Sequence, residues 1–72
     1  MGEYKDRPKY QERVIDELDQ LSSKCSRLMR FLETESFMKL SIDEQWRLRK
    51  QYIFMCLYYD VLEERIENFE IS

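Results

Sequence analysis

Residues 52–62 read YIFMCLYYDVL, and ten of these eleven residues are apolar or aromatic. A helix with apolar side chains all round has to be buried. The chain has 72 residues, and a domain of that size closes a hydrophobic core on its own only with difficulty. The stretch therefore demands partners. The rest of the chain favours helix, since it holds one Gly, one Pro and 38% charged residues. Sparse turn residues with abundant Leu, Glu, Arg, Lys and Gln make long helices rather than strands.

Hydrophobic spacing places those helices. Val14, Leu18, Leu21, Cys25, Leu28 and Leu32 follow at steps of 4, 3, 4, 3 and 4, a two-per-seven seam that predicts a helix over 9–33. The polar run MGEYKDRP (1–8) is expected to form an arm or short helix, with Asp6 as cap and Pro8 in the first turn. Residues 34–41 break the seam. Ser41 followed by Glu44 then fits a capping box, which opens a second helix over 42–69. Its seam runs Leu48, Tyr52, Met55, Tyr59, Leu62, Ile66 and Phe69. One all-α domain over 1–72 follows, built as an antiparallel hairpin with Phe37, Met38 and Leu40 folded over its tip.

One seam against another completes a hairpin, yet Ile53, Phe54, Leu57 and Val61 remain as a second stripe on helix two. Trp46 precedes them, and Ile15 and Met29 lie off the seam of helix one. A contiguous exposed apolar patch marks an interface. The expectation is a closed homo-oligomer in which second helices pack together, either a dimer or a larger ring.

The function classes that composition disfavours are several. A net charge of −3 argues against unspecific duplex binding, which needs a basic surface. The absence of histidine removes the commonest general base and metal ligand. No apolar run reaches the roughly 18–20 residues that span a bilayer, and a charged start without an apolar segment is unlike a signal peptide. Cys25 and Cys56 have no CxxC spacing. In a hairpin centred near residue 37 they sit roughly 9 Å apart along the axis, which predicts free buried thiols in a reducing cytosol. Glu12, Asp16, Glu17, Asp19, Glu63, Glu64 and Glu67 read as solvated faces with surface ion pairs. No nucleophile–base pair, glycine-rich phosphate loop or metal spacing is present, so neither an enzyme nor a cofactor is expected.

The cations point elsewhere. Lys24, Arg27 and Arg30 form a ridge on helix one, and Tyr10 shares the seam flank of Lys24. Tyr58 and Arg65 occupy the corresponding flank of helix two. Aromatics and cations beside an interface stack bases and pair phosphates, although flanking charges in helical bundles ordinarily only solvate them.

Residues 10–69 resemble a known small family. The carrying pieces are Tyr10 with Arg13-Val14, Glu17-Leu18, Lys24, Phe31-Leu32 and Phe37 before Leu40. They continue through Glu44-Gln45, Gln51, Met55, Tyr58 or Tyr59, and Val61-Leu62 before Arg65-Ile66. Order and spacing together resemble the phage-encoded anti-CBASS cyclic-oligonucleotide sponges. The resemblance implies a helical homohexamer in the cytoplasm of an infected bacterium. It would capture cyclic di- and trinucleotide immune signals without cleaving them, in two kinds of pocket. It also implies ligand-binding roles for Tyr10, Lys24 and Arg65, and for Ser26 as the hydroxyl just after the lysine. Leu28 stands where the pattern has a second hydroxyl. In a hairpin centred near residue 37, Tyr10 and Arg65 lie level at the open end, whereas Lys24 is about 21 Å from Tyr10 at helical rise. Either pockets are shared between subunits or different residues serve different pockets, and both need the oligomer. Two other readings fit the residues: a structural or adaptor hairpin that docks another protein, and an acidic DNA mimic. The mimic is disfavoured by twelve interleaved Lys and Arg.

Overall fold

The structure, a computed structural model, describes residues 7–70. Three helices follow one another: α1 (Lys9–Leu32), α2 (Glu35–Met38) and α3 (Ile42–Glu67), with a closing 3-10 turn over Asn68–Glu70. No strand occurs among the described residues. Helices α1 and α3 form the expected hairpin, in a body of 50 × 20 × 14 Å. The smallest of these extents is close to the width of one helix with its side chains. Among the described residues, each long helix therefore has a face that nothing else covers.

The seams meet as their spacing requires. Val14, Leu21 and Leu62 are buried at the centre, with Leu18, Cys25, Met55, Tyr59, Ile66 and Phe69 packed against them. Leu28, Leu32, Leu48 and Tyr52 are half-buried along the same line. The seven acidic residues assigned to solvated faces are all exposed.

Helix ends explain the boundaries. Pro8 is the residue before α1, and its carbonyl accepts from the amides of Gln11 at 3.0 Å and Glu12 at 3.3 Å. The cap assigned to Asp6, and the arm up to that residue, lie outside the described residues. Helix α1 stops at Leu32, one residue short of the expected end, because Thr34 intervenes. Its Oγ1 donates to the Phe31 carbonyl at 2.7 Å and accepts from the Phe37 amide at 3.2 Å. One side chain thus closes α1 and opens α2, a short helix within the connection expected over 34–41. At the start of α3, Ser41 Oγ accepts from the Glu44 amide at 3.2 Å. The reciprocal half of the capping box is replaced, since the Glu44 carboxylate accepts from Arg47 Nη1 at 2.8 Å. Helix α3 yields to the 3-10 turn at Asn68, whose Nδ2 donates to the Glu64 carbonyl at 2.7 Å.

Helix α2 changes the register of the hairpin. Phe37 is fully buried, edge-on to Phe31 with ring centres 6.0 Å apart. Arg49 lies over the Phe37 ring, 5.2 Å from its centre. Buried Gln45 donates through Nε2 to the carbonyls of Met38 at 3.1 Å and Leu40 at 3.0 Å. The first two turns of α3 are therefore tied to the connection. Phe37 and Leu40 fold over the tip as expected, whereas Met38 points outward.

Two contacts locate the resulting centre. Tyr10 meets Phe69, and Cys25 shares a cleft with Cys56. Both pairs lie symmetrically about residue 40 or so, not 37. The two thiols are free, as expected, but half-buried rather than buried, and the separation argued for them does not hold. They face one another across the hairpin because α2 shifts α3 along its axis.

Candidate functional site

The open end of the hairpin gathers the first candidates. Tyr10 is 54% exposed, and its ring stands edge-on to Phe69 at 5.8 Å and 80°. Its hydroxyl accepts from Gln11 Nε2 at 3.3 Å, and Gln11 Oε1 in turn accepts from Arg7 Nη1 at 3.4 Å. Gln11 is buried, so this relay anchors the Tyr10 hydroxyl while the ring stays half-exposed. Beside it lies a cleft of about 390 Å³, lined by Tyr10, Val61, Glu64, Arg65, Asn68 and Phe69. That volume lies within the range of small-molecule sites. Its walls supply an aromatic face, a guanidinium and an amide, with one carboxylate at the rim. Such a set stacks a planar ring and pairs an anion.

Tyr10 and Arg65 thus come together, as their positions in the two helices predicted. The shifted register adds a detail: Phe69 is level with Tyr10, and Arg65 sits one turn further in. Phe69 and Asn68 are lining residues that the sequence reading left in the seam or unassigned. The signal for Phe69 was present in its place as the last seam residue, opposite an aromatic at the start of α1.

Ser26 is placed elsewhere, in a cleft of about 260 Å³ lined by Ser22, Cys25, Ser26, Cys56, Tyr59 and Asp60. Here burial pushes the Cys25 thiol above its ordinary 9.0, with Cys56 adding to the effect. A hydrogen bond to the Cys56 side chain, then the charge of Cys56, raises Tyr52 above its usual 10.0. The Cys25 thiol therefore stays protonated near neutrality. Lys24 is exposed on α1 and lines neither cleft. The chain thus brings Tyr10 and Arg65 to one place, while Ser26 and Lys24 sit apart from it. Among the described residues, no group of three or more His, Cys, Asp and Glu is arranged to hold a metal. No helix there is long and apolar enough to cross a membrane.

The fold and clefts define a small helical-hairpin protein with ligand-sized surface clefts and, among the described residues, an exposed apolar face on α3. Residues 8–68 match the Sequestin family, and the chain belongs to it. It is also similar to the "Uncharacterized 7.5 kDa protein in denB-rIIB intergenic region" of Enterobacteria phage T4. The two are 44% identical over 61 residues, which is 85% of this chain and 95% of the phage protein. No solved structure matches. A family named for sequestration and a phage relative agree with the resemblance to phage sponges carried by residues 10–69.

Proposed function

We propose that this protein is a non-catalytic sponge that captures cyclic di- and trinucleotides in the cytoplasm of an infected bacterium. Capture blocks CBASS immunity by starving the effector of its signal. The observation that carries this reading is the open-end cleft, where an exposed tyrosine face and a guanidinium share one opening. Membership of the Sequestin family supports it. Tyr10 stacks a base, and Arg65 pairs a phosphate through its planar fork. Lys24 neutralises a second phosphate, and Ser26 offers a hydroxyl to a separate ligand.

Lys24 lies about 21 Å along α1 from Tyr10 at helical rise. One ligand therefore reaches both only when a second subunit brings its own Lys24. The assembly is a homo-oligomer, a hexamer by resemblance, whose enclosed pockets supply affinity through desolvation and preorganisation. No step of bond cleavage is involved.

The test is calorimetric titration of the purified protein with 3′,3′-cyclic GMP–AMP and with cyclic tri-AMP. Tight, stoichiometric binding is expected, and chromatography of the heat-released ligand should return it intact. Lys24→Ala should weaken capture with helicity unchanged. A folded, oligomeric protein that responds to neither ligand would overturn the sponge and leave the adaptor reading standing.

A further inference from the structure

The cleft in the middle of the hairpin holds chemistry that the Tyr10 site does not use. Cys25 packs on the core cluster from α1. Cys56 borders the seam of α3, four residues after Tyr52 and three before Tyr59. Both thiols are free and half-buried, and both line one cleft with Ser22, Ser26, Tyr59 and Asp60.

The register of the hairpin sets them level. Tyr10 meets Phe69 at the open end. Counted from that contact, Cys25 lies fifteen residues along α1 and Cys56 thirteen residues back along α3. At helical rise the two are level to within about 3 Å. Electrostatics agree with this placement. The Cys25 thiol is raised above 9.0 by burial first and by Cys56 second. Tyr52 is raised above 10.0 by a hydrogen bond to the Cys56 side chain first, and least by Cys25. A charge on either sulfur is thus felt across the hairpin.

Two opposed thiols hold a metal or exchange with a disulfide. A structural zinc site needs four ligands, and among the described residues no group of three or more His, Cys, Asp and Glu is arranged to hold a metal. Thiol–disulfide exchange needs only the pair. We infer that Cys25 and Cys56 form a redox-modification site, in which an intramolecular disulfide staples α1 to α3 and closes the cleft that Ser26 lines.

The oxidant is a low-molecular-weight disulfide, glutathione disulfide. One protein thiolate attacks a glutathione sulfur and expels one glutathione thiolate, leaving a mixed disulfide. The second cysteine attacks the protein sulfur of that mixed disulfide and expels the other glutathione. One Cys25–Cys56 bond has formed, the glutathione disulfide bond has broken, and two protons have passed to two glutathione thiols. The cysteine pair loses two electrons and the glutathione disulfide gains them. Burial keeps the Cys25 proton in place near neutrality, so closure is slow and answers sustained oxidation.

The staple pins α3 along α1 in the middle of the hairpin, as Phe37 and Gln45 pin it at the tip. It closes the loop 26–55, and restraint of the unfolded chain then favours the folded hairpin. It also bridges a cleft of only about 260 Å³, so Ser26 loses the opening beside it. The Tyr10 cleft lies about 22 Å away along α1 and keeps its shape. Control of the Ser26 cleft rests on the reading given under Proposed function, whereas the disulfide does not.

The bond is tested on the full chain in glutathione redox buffers, read by intact mass. The expected product is a single chain lighter by two hydrogens. A lasting glutathione adduct or a covalent dimer in its place means that the sulfurs do not face one another, and overturns the inference. The exchange constant should favour the disulfide at least about tenfold more in the native protein than in urea. Equal constants overturn the staple, because a bond that stabilises the hairpin must itself be stabilised by it.

Control of the cleft is judged separately, by calorimetric titration. Ser26→Ala identifies which of 3′,3′-cyclic GMP–AMP and cyclic tri-AMP uses the Ser26 cleft. Oxidation should remove capture of that ligand, and dithiothreitol should restore it. Cys56→Ser should capture it equally with and without oxidant. Unchanged capture by fully oxidised native protein overturns the control. If native protein ignores both ligands while the mass still falls by two hydrogens, the sponge reading fails and the disulfide stands.

Discussion

Helices α1 and α3 contribute equally to one seam but differ on their outer sides. Beyond its seam, α1 shows mainly Glu, Asp, Lys, Arg, Gln and Ser, with Tyr10 and Met29 as its exposed large apolar residues. On α3 the exposed apolar residues run from Ile42 and Trp46 through Ile53, Phe54, Leu57 and Tyr58 to Val61. A two-helix core consumes one stripe per helix, so α1 is an ordinary amphipathic partner. The second stripe of α3 lies outside the core cluster of the hairpin. The difference separates what holds the hairpin together from what the hairpin is shaped to meet.

That contrast can be broken first at its inner side. Leu62 is fully buried against Val14 and Leu21, and Leu62→Ala should cost about 2–5 kcal/mol. Urea unfolding followed by circular dichroism would report the loss, and a cost near zero would mean that the seam is not what closes the hairpin. Next in size is Ser41→Ala at the start of α3, which removes the acceptor for the Glu44 amide and should cost about 1 kcal/mol. The Glu44–Arg47 pair beside it is exposed, so Glu44→Gln should change stability by at most about 1 kcal/mol.

Raising the pH probes the thiol side of the seam. The Cys25 thiol is held above 9.0 in the fold, mainly by burial. The folded chain therefore keeps this proton more tightly than the unfolded one. The stabilisation is fully present below 9.0 and is lost as pH climbs through the folded value. Unfolding midpoints should accordingly fall as the pH rises above 9.0, and Cys25→Ala should flatten the fall. Tyr52 shifts in the same direction, so some decline remains in that variant. The smallest effect on the chain itself is expected on the outer side of α3. Phe54→Ser should leave monomer stability within about 0.5 kcal/mol while lowering the oligomer mass. Unfolding of the diluted monomer by this change would join the outer stripe to the core and erase the contrast.

Much of the fold was legible because both seams keep strict heptad steps, and a buried stripe tolerates no interruption. Leu48, Tyr52, Met55, Tyr59, Leu62, Ile66 and Phe69 all turn inward as their spacing requires. The connection was less legible. Nothing in the spacing of Thr34 announces that its hydroxyl ends one helix and begins the next, since both bonds depend on the path of the backbone. The buried position of Gln45 was equally hidden, because its partners are two main-chain carbonyls in the connection. Of the candidate site, the meeting of Tyr10 and Arg65 followed from their places at the open end. Phe69 was legible as the last seam residue, whereas Asn68 entered only with the 3-10 turn that closes α3.

Composition and periodicity by themselves determined a helical hairpin, its two seams, and a stripe on α3 left over for another surface. Those are properties of local spacing, and the hydrophobic effect reads them without regard to the path between helices. Only the tertiary structure decided how far α3 slides along α1. That slide is set by Phe37 between Phe31 and Arg49, and by Gln45 holding the connection. It brings Cys25 opposite Cys56 and Phe69 opposite Tyr10. Axial register is a sum of contacts from residues far apart in the chain, and no repeat within one helix encodes it.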